Sequence, residues 1–82
     1  MERTIHMNAV RVFVNGAALE IAAGATALDA VAMADAEEAR QVQDGHRMIT
    51  DSRGLAITPG SPVFGGAIFR TVRAKPALDD PV

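Results

Sequence analysis

Ala9-Val10-Arg11-Val12-Phe13-Val14-Asn15-Gly16, followed by Leu19-Glu20-Ile21 and Ala23-Gly24-Ala25-Thr26, is the stretch that decides the fold. Residues 9–14 are rich in β-branched side chains and alternate: Val10, Val12 and Val14 share one face, Arg11 and Phe13 the other. A period of two predicts a strand with one buried face. Asn15-Gly16 accepts positive φ at low cost, so it predicts a tight hairpin, with residues 17–23 as the return strand. Thr26 offers a hydroxyl to an orphan backbone N–H at a helix start, and Asp29 stands at the capping-box position. Leu28, Val31, Ala32, Ala36 and Ala39 follow helical spacing over an Ala-rich run from 27 to 39. That run reads as one helix with an apolar stripe, with Gly45 as a stop or turn beyond it.

Downstream, Arg47-Met48-Ile49-Thr50 and Leu55-Ala56-Ile57 read as short strands around a turn at Asp51-Ser52-Arg53-Gly54. Thr58-Pro59-Gly60-Ser61-Pro62 reads as a rigid loop, and Gly65-Gly66 lets the chain bend or bulge. Ala67 to Val72 is the last strand. Residues 9–73 therefore form one domain, between a flexible tail at 1–8 and a polar, proline-containing tail at 74–82 expected to be disordered.

The whole chain has 82 residues and a mass of 8.6 kDa. That is room for one hydrophobic core, burying roughly 60% of the unfolded surface. Hydrophobic content of 49% against 22% charged places it among globular sequences. Zero cysteines exclude a disulfide framework, a thiolate zinc site and a cysteine-ligated iron–sulfur cluster. A net charge of -2 lacks the basic excess of a nucleic-acid domain. No apolar run approaches the roughly 20 residues of a membrane span. Residues 1–6 hold no signal-peptide core, so a cytoplasmic location is expected.

Hairpin, helix, short hairpin and long final strand make an α+β order in which the helix must cover one sheet face. Placing the last strand beside the first gives a mixed sheet with a parallel central pair. Residues 9–31, with Val12-Phe13-Val14-Asn15-Gly16, Leu19-Glu20-Ile21 and Ala23-Gly24-Ala25-Thr26, resemble the opening half of β-grasp proteins. Arg47 through Val72 resembles the ubiquitin-like pattern of short hairpin, loop and terminal strand. The resemblance implies a mixed four- to five-stranded sheet with one helix packed across one face. It is most similar to the small sulfur carriers of thiamine and molybdopterin biosynthesis, which work through a flexible C-terminal Gly-Gly. This chain ends Asp79-Asp80-Pro81-Val82, and its Gly65-Gly66 precedes an apolar strand instead. The β-grasp domain of ferredoxin-like subunits is also similar, but its cluster needs cysteines that are absent here.

Catalytic signals are weak. His6 and His46 stand apart from any Ser, Asp or Glu constellation, and Asp51-Ser52-Arg53-Gly54 has the spacing of a turn. The glycines do not make a phosphate loop, because no Gly-Lys-Ser/Thr follows them. No enzyme, cofactor or metal site is expected. Binding is the better expectation. Keeping Arg70 out of the core turns Phe69 inward and sends Ile68 and Val72 to the open sheet face. Phe13, Met48, Ile68 and Val72 would then form an apolar patch ringed by Arg11 and Arg70. The expected function is a non-enzymatic protein-binding module, or an accessory subunit of a larger complex. Its partner would be another protein, acidic or rich in carbonyls, with no nucleic acid and no membrane insertion. The alternative is a sulfur-carrier-like protein with a processed or degenerate C-terminus.

Overall fold

The computed structural model describes residues 8–74. Most of the two expected tails, residues 1–7 and 75–82, lies outside the described residues. The chain runs β1 (Ala9–Val14), β2 (Ala17–Ala22), α1 (Ala27–Ala34), α2 (Ala36–Gln43), β3 (Arg47–Thr50), β4 (Ala56–Ile57) and β5 (Ile68–Arg73). It is a small α+β domain whose five strands form one mixed sheet in the order β2-β1-β5-β3-β4. β1 and β5 are parallel neighbours at its centre, and the other pairs are antiparallel.

The expected hairpin is present, with Asn15 at φ 50 and Gly16 at φ 89 joining β1 to β2. The expected cap is present too. Asp29 N–H donates to Thr26 Oγ1 at 3.1 Å, and Thr26 N–H donates to Asp29 Oδ2 at 3.0 Å. Two further donors of the first turn are used: Ala27 N–H bonds Ser61 O at 2.8 Å, and Leu28 N–H bonds Pro59 O at 3.0 Å. The Pro-rich loop is thereby fixed to the start of α1, and these orphan groups are satisfied within the chain.

One expectation is corrected. The run from 27 to 39 is two helices, not one. Asp35 leaves the helical region at φ -163, ψ 104, and its carboxylate accepts from Glu37 and Glu38 N–H. An Asp side chain competes for backbone donors, which disfavours a helix interior and favours a cap. The buried stripe also differs from the expected one. Ala27, Ala30 and Val31 are buried from α1, and Ala39 and Val42 from α2, whereas Ala32 and Ala36 are exposed.

The core joins Val12 and Val14 of β1, Val31, Ile49 and Phe69, all almost wholly buried. Each such side chain contributes about 1.5–3 kcal/mol by leaving water. Phe69 turns inward, as the charge on Arg70 requires. A polar network closes the end of the sheet. Beyond Val14 the chain turns away, leaving the Thr71 N–H of β5 without a β1 carbonyl. The Asn15 side chain replaces it: Thr71 N–H donates to Asn15 Oδ1 and Asn15 Nδ2 donates to Thr71 Oγ1, both at 3.0 Å. Thr71 Oγ1 donates in turn to Glu38 Oε1 at 2.6 Å, and Arg47 pairs with the same oxygen at 3.4 Å.

Asn15 thus serves the turn and the sheet at once. Asn15→Gly keeps the positive φ but removes both bonds to Thr71. We expect urea denaturation to show a loss of about 1 kcal/mol. A variant as stable as the wild type would mean that the side chain serves only the turn.

Candidate functional site

α1 and α2 lie on one side of the sheet, on the Val12, Val14 and Phe69 side. The other side is set by strand parity and register. Phe13 lies opposite Ile68 on β5 and Ala18 on β2; Met48 lies opposite Val72; Thr50 lies opposite Arg70 and Ala56. The residues expected on the open face therefore do share it. Ile68 and Val72 are 42% and 39% exposed, Arg11 and Arg70 are exposed, and Phe13 and Met48 are half-buried.

Their arrangement differs from a single patch with a charged rim. Arg70 sits between Ile68 and Val72 on the same strand, so the apolar surface divides into two couples, Phe13–Ile68 and Met48–Val72. Alternation forces this: residues 68, 70 and 72 must share a face, and about 13 Å separates the outer two. Thr50, beside Arg70, is only 4% exposed although its parity places it on this face. Arg11 is at the rim as expected, held towards Glu20 by an exposed pair at 3.4 Å.

The structure adds residues that the sequence reading passed over. Phe64 is the most exposed large apolar side chain at 65%, and Leu55 is 56% exposed. Phe64, Ile68 and Phe69 line a cleft of about 250 Å³ with Asp51, Ser52 and Arg53. The cleft adjoins the Phe13–Ile68 couple through Ile68, and its volume lies just below the range of small-molecule sites. Two turns shape it. In one, Ala67 N–H bonds Phe64 O at 3.1 Å with Gly66 at φ 88; in the other, Gly54 N–H bonds Asp51 O at 3.0 Å. The sequence signal for the first was Gly65-Gly66, which marks the turn but not the exposure of the residue before it.

Asp51 is the one acid here with a displaced pKa. Its carboxylate accepts from Leu55 N–H at 3.0 Å and Arg53 N–H at 2.8 Å, and pairs with the Arg53 guanidinium at 3.0 Å. The Leu55 N–H is the main cause holding it below the ordinary 3.8, desolvation opposes this, and Arg53 adds to the lowering. It is a turn-forming acid whose acceptor sites are occupied. Among the described residues no group of three or more His, Cys, Asp or Glu side chains is placed to hold a metal, and no helix is long and apolar enough to cross a membrane. Comparison with known proteins gives no match: no family model, no curated protein and no solved structure.

A carboxylate with a lowered folded-state pKa stabilises its turn above the unfolded value, and that contribution is lost as pH falls through the folded value. NMR of the Arg53 and Leu55 amides should therefore show a transition with its midpoint below pH 3.8, absent in Asp51→Asn. A midpoint at or above 3.8 would show that these bonds do not hold the charge.

Proposed function

We propose that this chain is a β-grasp protein-binding module, or an accessory subunit of a complex, that acts without catalysis. The strand order β2-β1-β5-β3-β4, with a parallel β1–β5 pair and helices on one side, supports the β-grasp reading. The observation that carries the binding reading is the sheet face left uncovered among the described residues, where Phe13–Ile68 and Met48–Val72 flank Arg70. Apolar couples held on an open surface favour association. Arg70 has no ion pair among the described residues, so an acidic or carbonyl-rich protein segment fits between the two couples. The cleft beside Phe64 supplies a socket for one apolar side chain of that segment.

The sulfur-carrier alternative rests on the resemblance and on Gly65-Gly66. Gly66 N–H is bonded to Arg11 O at 2.8 Å, and the buried Ala67 follows it. A free Gly66 carboxylate would require loss of β5 and of Phe69 from the core, at a cost comparable with the stability of a small domain. A native species ending at Gly66, or carrying a thiocarboxylate mass, would favour this alternative over the binding module.

Phe13→Ser and Ile68→Ser remove the apolar anchors at positions that are half-buried or exposed. Wild type and double variant, used as bait in the native source, should differ: a partner retained by the first is lost by the second, with unchanged circular dichroism. Equal retention by both removes this face from the proposal.

A further inference from the structure

The two edges of the sheet differ. β4 offers only Ala56 and Ile57, and Pro59 follows closely; a short strand beside a proline is a blunt edge. β2 is a six-residue strand with no Pro and no Lys, and only β1 flanks it. Its one charge, Glu20, is engaged with Arg11 of β1. A long edge without such guards is a template for another strand.

The hairpin register decides which backbone groups face outward. Val14 pairs with Ala17 across the two-residue turn. Ala17, Leu19 and Ile21 therefore direct N–H and C=O towards β1, while Ala18, Glu20 and Ala22 direct theirs to the free edge. The Ala22 carbonyl is already used by Ala25 N–H at 3.0 Å. Ala18 and Glu20 are left with both groups unpaired among the described residues.

We propose that this edge pairs antiparallel with β2 of a second copy, joining two sheets into one. Charge and the number of backbone bonds select the twofold register; an Ala18-centred pair would exchange bonds at that one residue alone. Centring the pair on Glu20 places two carboxylates directly opposite each other, which is unfavourable. Centring it on Leu19 sets Leu19 against Leu19 in a close, non-hydrogen-bonded pair, and sets Ala18 against Glu20. Ala18 and Glu20 then exchange both outward backbone bonds, and symmetry repeats the exchange. The small side chains of Ala17, Ala18 and Ala22 leave room for the approach. The second copy suits the edge because it returns Ala18 opposite Glu20 and leucine opposite leucine. The axis stands perpendicular to the sheet, so both open faces, each with its Phe13, lie on the same side.

Sedimentation velocity on the full chain across a concentration series tests this. A monomer–dimer equilibrium is expected. Ala18→Pro deletes an outward N–H without touching the β1 ladder and should weaken the dimer about tenfold. Ala18→Lys places an ammonium opposite Glu20 and should tighten it about threefold. Leu55→Ser, exposed between β3 and β4 at the opposite end of the sheet, should leave the dissociation constant unchanged. A monomer at every concentration overturns the proposal. So does a dimer that ignores Ala18→Lys, or one abolished by Leu55→Ser. Circular dichroism establishes that each variant is folded, and Ala18→Lys decides if Ala18→Pro is not.

Discussion

Phe69 is held in the core on a strand whose two edges are both occupied, and the rest of the molecule depends on that. β5 pairs with β1 on one side and β3 on the other. It thereby joins two hairpins that are far apart in the chain. Phe69 shares one core with Val12, Val14 and Ile49 under the helices, and the described residues form no second core to share the load. A domain of this size carries only a small margin of stability, so this strand cannot leave without loss of the fold. The placement of Gly65-Gly66 follows from it. These glycines turn the chain into the centre of the sheet, where Gly66 N–H is bonded to Arg11 O.

The same strand shapes the open face. Because Phe69 must point in, Ile68, Arg70 and Val72 must point out, and the charge falls between two apolar side chains. Pairing then brings Phe13 to Ile68 and Met48 to Val72. Both helices lie on the other side, so nothing within the described residues covers this surface. At the sheet margins, β4 is short and blunt while β2 is long and open.

Much of this was legible in the sequence wherever local chemistry decides the structure. Asn15-Gly16 demanded positive φ, Thr26 and Asp29 demanded a cap, and the valines of residues 10–14 demanded a buried face. The charge on Arg70 fixed the parity of β5. What was not legible depended on choices between local and long-range partners. Asp35 could have continued an Ala-rich helix; its carboxylate instead captured Glu37 and Glu38 N–H and broke the run. Val42 joins the core from α2, beyond the stripe read over residues 27–39. The exposure of Phe64 and Leu55 depends on how two loops settle around the start of β5, which no periodicity encodes. The open-face residues could be assigned to a side by alternation, but their division into two couples required the strand register.

Native-state hydrogen exchange read residue by residue tests the central position of β5 most directly. The β5 amides that face β1 and β3 should exchange only through global unfolding, with protection equal to the stability measured by denaturant, while β4 exchanges through local opening. β5 amides exchanging as fast as those of β4 would contradict this, because the strand would then be a detachable end and Gly66 a potential terminus.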